Sequence, residues 1–375
     1  MPNAELTERI KAEAGNCGFQ LVGVCPAISP TGFSRFCEWL SSGYAGEMTY
    51  LHERQSAYEH PGSVLQGVRS VVMLGMHYGT TRPTPAPPGH GLVSRYAWGE
   101  VDYHDLIHSR LKQLKATIAC QMPHASVRGV VDTAPLLERE FAQLAGLGWV
   151  GKHTLLINKD EGSWFFLAAL LLDCELEYDE PFEEDHCGTC RACIDICPTD
   201  AIPQAYVLDA TRCISYLTIE LRSAIPHDLR AGLGDWMFGC DLCQDVCPWN
   251  RKASGSLEAG FLPRADSDPI ELASLFHLSD EQFRKRFRRV PLWRSKRRGI
   301  LRNAAIVLGN QRHRPALSAL RHGLNDAEPL VRGGCAWALG EMASDDVRLV
   351  LQKRLSIEQD ETVVAEIQRA LQEVC

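Results

Sequence analysis

Two cysteine runs lie close together in the sequence and have spacings suited to iron-sulfur clusters. The first, "CGTCRACIDICPTDAI", places Cys187, Cys190, Cys193 and Cys197 in the pattern C-x2-C-x2-C-x3-C-P without a gap. In such a run three thiolates bind one [4Fe-4S] cubane from a tight loop, and the fourth cysteine binds the other cluster. A zinc site needs only four tetrahedral ligands and has no use for the x3-C-P continuation. The run therefore predicts iron-sulfur clusters rather than zinc.

The second run, "GCDLCQDVCPWN", is one ligand short, because Met237 stands where the first cysteine of a bacterial ferredoxin run would be. If the two runs exchange their fourth cysteines, the second cluster still needs one thiolate, and Cys213 is the unassigned cysteine between the runs. The predicted ligands are Cys187, Cys190, Cys193 and Cys247 for the first cluster, and Cys197, Cys213, Cys240 and Cys243 for the second. Alternatively, Cys213 is a buried thiol, and the second site is empty or has three cysteines.

Composition limits the class of protein. The chain has 375 residues, 45% of them hydrophobic and 23% charged, with a net charge of -8, which is ordinary for two or three globular domains. The N-terminus has neither a signal-peptide core nor a twin-arginine pair, and no apolar run is long enough to span a membrane, so we expect a cytoplasmic protein. Seven further cysteines are scattered and are predicted to be buried or incidental: Cys17, Cys25, Cys37, Cys120, Cys174, Cys335 and Cys375.

Helical and strand patterns alternate from residue 5 to about residue 172. Helical patterns include "LTERIKAEAGNCG" and "YHDLIHSRLKQLKATIA", and strand patterns include "VRSVVMLGMHY" and "WFFLAALLL". They predict an α/β domain with a mostly buried sheet. The segment "TTRPTPAPPGHG" is predicted to be a mobile loop, and residues 173–185, with eight acidic and no basic side chains, a solvated linker.

The C-terminal part is predicted to be helical and repetitive. The segments "ILRNAAIVLG" and "VRGGCAWALG", 31 residues apart, resemble short HEAT-like repeats that stack on the preceding domains. Ten Lys and Arg and no acidic residue lie between Arg284 and Arg302. This basic run is either a solvated face or, with Phe287 and Trp293, an RNA-binding surface.

Two thiolate-saturated clusters transfer electrons but offer no iron to a substrate, so another cofactor must receive the electrons. The sequence has no G-x-G-x-x-G, no P-loop and no C-x-x-C-H haem motif. Spacing alone therefore does not identify that cofactor.

Six motifs in order over nearly the whole chain resemble the epoxyqueuosine reductase family: "GYAGEMTYL", "VSRYAWGEVDYH", "VDTAPLLERE", "GWVGKHTLLI" and the two cysteine runs. Val101 is one residue more than the family's GxDYH spacing allows. The resemblance implies a multidomain α+β/α fold. Its parts are a nitroreductase-like α/β cobalamin and substrate domain (1–175), a two-[4Fe-4S] ferredoxin-like domain (176–255) and HEAT-like helical repeats that bind tRNA (256–375).

The resemblance also implies cobalamin and the roles of individual residues. Asp132 matches the proton donor, although Asp132 or Thr133 before "PLLERE" is also a good helix N-cap. Arg139 matches a substrate contact or is a surface arginine. The motifs offer as cobalamin contacts Arg54, Arg95, Tyr96, Leu156, Asn158 and Ser215, each of which could instead serve packing or capping. Lys152 and His153 are candidates for phosphate binding, with a structural role as the alternative.

The expected reaction reduces the epoxide of a modified wobble guanosine in tRNA, with electrons from an external low-potential donor. No membrane partner is expected, and a monomer is predicted. Two alternatives remain at this point: a reductive dehalogenase-like cobalamin enzyme, and an electron-transfer iron-sulfur subunit of a larger complex.

Overall fold

The computed structural model describes residues 4–79, 85–253, 255–256, 258–264 and 267–373, without the side chain of residue 121. The strands are β1 Leu21–Pro26, β2 Ser70–His77, β3 His90–Val93, β4 Val127–Val130, β5 Trp149–Val150, β6 Leu156–Ile157, β7 Phe165–Leu172, β8 Trp236–Phe238 and β9 Ile270–Glu271. The α-helices are α1 Ala4–Asn16, α2 Phe33–Ser41, α3 Thr49–Glu53, α4 Tyr103–Gln121, α5 Glu138–Leu144, α6 Ala192–Asp195, α7 Ile214–Ile219, α8 His227–Arg230, α9 Leu242–Asp245, α10 Asp280–Phe287, α11 Lys296–Asn310, α12 Leu317–Gly323, α13 Pro329–Gly340, α14 Asp345–Leu355 and α15 Glu361–Glu373.

The described residues form two compact units, each built from separate stretches of chain. The first unit takes its residues from Met1–Thr81, Val101–Ala210 and Leu242–Leu262. The second takes them from Arg82–Glu100, Thr211–Asp241 and Pro263–Cys375. The three-part division at residues 175 and 255 follows motifs and cofactors rather than compactness, and it stays a prediction.

A four-stranded antiparallel sheet organises the first unit, in the order β1-β2-β7-β4. Every residue of β2 is buried, as expected for a central strand with few polar side chains. The helices and strands predicted before residue 172 are all present. Of the predicted mobile loop, residues 80–84 lie outside the described residues, and its last two residues begin strand β3.

The acidic segment 173–185 is irregular and largely solvated, as its charge predicts, but it is also attached to the first unit. Asp179 accepts hydrogen bonds from Lys11 Nζ at 2.6 Å and from the Val24 amide at 2.7 Å. Leu176 is fully buried, and Glu175 pairs with Arg69 at 2.7 Å. The carboxylates are stabilised by cations and backbone donors of the first unit, so the segment packs along that unit although it is irregular.

The second unit is mainly helical, and its paired helices confirm the predicted repeat. In α11, Gly309 lies so close to α13 that an added Cβ would be 2.5 Å from the Trp337 ring, so the small residue is needed for this approach. Arg302 is 2% exposed and donates to the carbonyls of Leu217 and Leu221 at 2.6 and 2.9 Å. The repeat therefore stacks on the 211–241 segment of its own unit, as predicted.

The scattered cysteines are mostly away from solvent. Cys17, Cys25 and Cys335 are buried, whereas Cys120 is exposed. Burial raises the pKa of Cys25 to about 12, so this thiol is inert at neutral pH. Cys375 lies outside the described residues. Among the helices of the described chain, none combines the length and the apolar character that crossing a membrane requires.

Candidate functional site

Asp132 lies in a tight loop after strand β4 and does not cap a helix. Helix α5 begins only at Glu138, with Leu137 at the N-cap position and no side-chain cap. The N-cap alternative for Asp132 or Thr133 is therefore wrong. Asp132 has a φ of 57°, a left-handed conformation that aspartate tolerates better than most residues. Its side chain is 52% exposed, which leaves the carboxyl accessible.

Two side chains from the start of helix α4 reach the Asp132 carboxyl. The Tyr103 hydroxyl donates to Asp132 Oδ2 at 2.8 Å, and His104 Nε2 lies 3.2 Å from the same oxygen. The other ring nitrogen of His104 lies 2.8 Å from Asp102 Oδ1. Val101, the additional residue of this stretch, is exposed at the turn before α4, so the spacing change leaves the helix start intact. Proton exchange between Asp132 and two neighbours is thus geometrically possible.

Sequence reasoning missed Tyr103 and His104 as parts of this site. Their signal was the "DYH" stretch, in which the side chain of Asp102 caps helix α4 by accepting from the His104 amide at 3.0 Å. Tyr103 is held by stacking on Phe166 of β7, with ring centres 4.1 Å apart and planes at 7°. The cap and the stack fix both proton-bearing side chains before a substrate arrives.

Glu138 is the second carboxyl of the site. One of its oxygens accepts from the Asp132 amide at 2.9 Å. Burial and the adjacent Asp132 carboxylate raise the pKa of Glu138 to about 8. Glu138 is therefore mostly protonated at neutral pH, and it supports the Asp132 loop without adding a full negative charge.

Two arginines border the same loop. Arg54, at the end of α3, donates to the Thr133 carbonyl at 3.1 Å. Arg139 donates to the Thr154 carbonyl at 2.6 Å. The Arg139 side chain is exposed, and desolvation by the surrounding protein lowers its pKa, while the adjacent Glu138 and Asp132 carboxyls oppose that shift. The hydroxyl of Tyr58 also senses this loop. Burial raises its pKa, and so do the Glu138 and Asp132 carboxyls, whereas the Arg54 guanidinium lowers it.

The four thiols assigned to the first cluster all belong to the first unit. Burial, together with negative charge from Cys187, Cys247 and Cys190, raises the pKa of Cys193 to about 11, so the four sulfurs are electrostatic neighbours. Burial raises the pKa of Cys247, and the nearby backbone amides of Trp249 and the residue after it partly offset that rise. Two of the four thiols, Cys193 and Cys247, are buried, which suits a cluster held against the protein interior. Among the described residues, no three His, Cys, Asp or Glu side chains converge as a site for a metal ion, whereas a cubane distributes its thiolates over four irons.

Lys152 supports the loop of the first cysteine run. Its Nζ donates to the carbonyls of Gly188 and Cys190 at 2.5 and 2.8 Å. The structural alternative therefore describes Lys152 better than phosphate binding. The neighbouring His153 is buried, and its Nδ1 accepts from the Leu155 amide at 3.2 Å. Burial lowers the pKa of His153 to about 4, so the ring is neutral.

The cysteines assigned to the second cluster are divided between the units. Cys197 and Cys243 belong to the first unit, and Cys213 and Cys240 to the second. The Cys197 sulfur accepts from the Ala201 amide at 3.4 Å. Cys213 is half-buried at the N-cap position of α7, whereas the alternative predicts a buried thiol. The ligand set of this cluster stays a prediction.

The six candidate cobalamin contacts occupy different environments. Leu156 is buried in β6, and Asn158 uses its side chain within its own turn, accepting from two amides at 3.0 Å and donating to the Leu147 carbonyl at 2.7 Å. In the second unit Arg95 is 7% exposed, with its guanidinium 3.6 Å from Asp241. Arg54, Tyr96 and Ser215 are exposed or half-buried, which leaves their side chains more accessible to a ligand.

The basic run 284–302 has two kinds of cations. Arg302 is buried, and Arg297 is bound to Asp326 at 2.7 Å, so both serve the fold. Phe287 is fully buried, so its predicted role in base stacking is wrong, whereas Trp293 is half-buried with Lys296 Nζ 4.7 Å from its ring centre. The exposed cations of the run are Arg284, Lys285, Arg288, Arg289, Lys296 and Arg298.

Three family models match parts of the chain. They are "4Fe-4S double cluster binding domain" over residues 186–250, "Epoxyqueuosine reductase QueG, DUF1730" over residues 59–133, and "HEAT repeats" over residues 292–372. The first match confirms the prediction of two [4Fe-4S] clusters. Together with the structural likenesses below, the matches confirm the predicted multidomain fold class.

Known proteins are similar over almost the full length. The epoxyqueuosine reductase of Pseudomonas aeruginosa is 44% identical over 341 residues, which are 90% of this chain and 94% of that one. A solved epoxyqueuosine reductase with a tRNA-Tyr epoxyqueuosine-modified stem loop has a TM-score of 0.92 at 29% identity and covers 99% of both chains. The Bacillus subtilis epoxyqueuosine reductase, with its aspartate-bearing catalytic loop swung out of the active site, has a TM-score of 0.92 at 28% identity and the same coverage.

Proposed function

Because this chain belongs to the epoxyqueuosine reductase family, we propose that it reduces epoxyqueuosine to queuosine at the wobble position of tRNA. The observation that carries the proposal is the accessible Asp132 carboxyl, which lies within hydrogen-bond reach of Tyr103 and His104. Both C–O bonds of the epoxide break, the oxygen leaves as water, and the reaction consumes two electrons and two protons. The protein must therefore deliver both.

The two [4Fe-4S] clusters would carry electrons from an external low-potential donor to cobalamin. The assigned ligands suit this role, because four thiolates saturate each cluster and leave no iron for the substrate. When bound, cobalamin supplies a metal centre that acts as a strong reductant and nucleophile toward an epoxide. The guanidinium groups of Arg54 and Arg139, which border the Asp132 loop, suit the many amide oxygens at the edge of a corrin ring or a substrate phosphate.

Asp132 delivers the proton that the opening epoxide requires. Ring opening places charge on the oxygen, and a carboxylic acid held at that point neutralises it. Tyr103, whose hydroxyl already donates to Asp132 Oδ2, and His104 on the same oxygen can restore the proton afterwards. Glu138, largely protonated near neutral pH, holds the amide of Asp132 and keeps the loop in place.

The remaining roles follow the predicted division of the chain. Residues 1–175 hold cobalamin and substrate, residues 176–255 the clusters, and residues 256–375 bind tRNA. The contacts to cobalamin are Arg54, Arg95, Tyr96, Leu156, Asn158 and Ser215, and Arg139 contacts the substrate. The exposed cations of the basic run bind RNA phosphates. We place the enzyme in the cytoplasm as a monomer.

The proposal is tested with protein purified anaerobically, supplied with cobalamin, a strong reductant and tRNA that carries epoxyqueuosine. Nucleoside analysis should show conversion to queuosine, and omission of cobalamin should abolish it. Protein with both clusters and cobalamin that leaves epoxyqueuosine unchanged would contradict the proposal. Clusters without any cobalamin binding would instead favour the electron-transfer subunit, and turnover of an aryl halide the dehalogenase-like enzyme.

A further inference from the structure

The indole ring of Trp149 lies against the thiols assigned to the first cluster. Trp149 is 1% exposed and packs in one buried group with Ile157 and Cys247. Cys187 packs against the same group. Two of the four assigned thiols therefore border the buried surroundings of this ring.

The position of Trp149 is fixed by the backbone before it. Strand β5 pairs with β6 through Trp149 and Ile157. The preceding Gly148 has a φ of 151°, and an added Cβ would lie 2.0 Å from the Ile157 carbonyl oxygen, so only glycine permits this approach. The short hairpin holds the indole in one place rather than leaving it to adjust.

Three aromatic rings surround the indole. Phe182 stacks on it, with ring centres 5.6 Å apart, and His186 and Trp249 meet it edge to face at 5.0 and 5.1 Å. Such packing limits water beside the indole and the buried Cys247. In a site with little water, any donor that faces sulfur acts strongly, because water does not compete for it.

The indole nitrogen of Trp149 is a buried donor with no hydrogen-bond partner among the residues that the structure describes. An indole N–H can only donate, and leaving it unpaired in the interior is destabilising. Cys187 and Cys247 pack in the same group as the ring, and the sulfides of a cluster bound there would bring acceptors within reach of this donor.

We propose that Trp149 donates its indole N–H to a sulfur of the first cluster and thereby raises the reduction potential of that cluster. The inference rests on the assignment of Cys187, Cys190, Cys193 and Cys247 to this cluster. Reduction adds negative charge to the cluster sulfurs, so a donor stabilises the reduced form more than the oxidised form. Trp149 is thus a tuning residue of the electron path and takes no part in the chemistry at the epoxide.

The sign of the effect distinguishes this role from simple shielding. Trp149→Phe removes the N–H, which lowers the potential, whereas water admitted into the vacated space would solvate the reduced form and raise it. Trp249→Phe is the matched control, because it makes the same change in the same aromatic group. The Trp249 ring is half-buried, and its nitrogen is not a buried unpartnered donor.

The test is a potentiometric titration of the holoenzyme under anaerobic conditions, followed by electron paramagnetic resonance. At a fixed potential, the ratio of reduced to oxidised first cluster should fall about tenfold in Trp149→Phe, a shift of about 59 mV for one electron. The reduction potential of the second cluster should be unchanged in this variant. In Trp249→Phe the reduction potentials of both clusters should be unchanged. An unchanged or raised potential in Trp149→Phe, or an equal shift in the control, would overturn the proposal.

A second measurement needs only wild-type protein with heavy nitrogen in its indole rings. Pulsed resonance of the reduced first cluster should show a magnetic coupling to an indole nitrogen, and its absence would sink the inference even if Trp149→Phe does not assemble. The iron content of Cys187→Ser distinguishes a wrong cluster assignment from a wrong role for Trp149. Full iron in Cys187→Ser would refute the cluster assignment itself, whereas reduced iron without the coupling would refute only the role of Trp149.

Discussion

The thiols of the first cluster come largely from one short stretch of chain, whereas the groups around Asp132 come from separate elements. Cys187, Cys190 and Cys193 are spaced for a cluster by the sequence itself. Asp132 instead depends on side chains at the starts of α4 and α5 and at the end of α3. A site whose ligands follow a local spacing can be recognised from the sequence alone. A site assembled by tertiary contacts is recognised only once the structure is known.

The largest expected effect tests the assembled site. Asp132→Asn keeps the side-chain shape and tolerates the left-handed backbone, but it has no acidic proton to give. We expect turnover of epoxyqueuosine tRNA to fall by about 10²–10⁴-fold, the usual contribution of a general acid, with iron and cobalamin content unchanged. The exposed Asp105, in the first turn of α4, offers a matched control as Asp105→Asn. Wild-type turnover in Asp132→Asn would remove the proton-donor assignment.

The next effect tests a second local signal, the basic run. We expect Arg288, Arg289 and Arg298, changed together to glutamine, to weaken tRNA binding at least tenfold at low salt. The slope of log affinity against log salt should become shallower by about 0.9 for each phosphate that the variant no longer neutralises. The triple change of Arg9, Lys112 and Lys115 to glutamine removes as many exposed charges from α1 and α4 and serves as the control. Equal binding by both variants would assign the basic run to a solvated face.

These regions show how far sequence alone reaches. The cysteine spacing, the helical repeat and the alternating elements follow from local patterns, and the structure contains them. The basic run predicts one continuous surface, yet Arg297 and Arg302 are bound within the fold. The sequence pattern does not show this, because their partners lie far away in the sequence. The segment 173–185 is largely solvated, as predicted, but its attachment to the first unit through Lys11 and Arg69 was not predicted. Local charge does not reveal distant partners.

A smaller effect concerns the pKa of Glu138. The folded state holds its proton up to about pH 8, whereas an unfolded glutamate loses it near its ordinary pKa of 4.5. Between these values the folded protein binds more protons than the unfolded one, so its stability falls as pH rises. Glu138→Gln keeps an acceptor for the Asp132 amide and should remove this loss.

Urea unfolding of the holoenzyme at pH 6 and pH 8.5 measures the difference. Each unit by which folding raises the pKa corresponds to about 1.4 kcal/mol, so Glu138→Gln should lose less stability between the two pH values by at least that amount. Glu140→Gln is the neighbouring control, and its amide oxygen can still accept from the Gly32 amide, which the carboxylate binds at 2.9 Å. An identical pH slope in wild type and Glu138→Gln would mean that Glu138 ionises normally.

The smallest effect, about a factor of two, asks whether the second cluster combines both kinds of construction. Its predicted ligands combine cysteines of the two local runs with Cys213, which lies outside both runs. Cys213 belongs to the second compact unit, whereas Cys197 and Cys243 belong to the first. Cys213→Ala should lose about half of the iron while the resonance signal of the first cluster persists, because each cubane needs its own four ligands. Cys174→Ala, another half-buried thiol, should keep all of it. Full iron with an unchanged second signal in Cys213→Ala would return the second site to three cysteines, and the missing ligand at Met237 would again need another explanation.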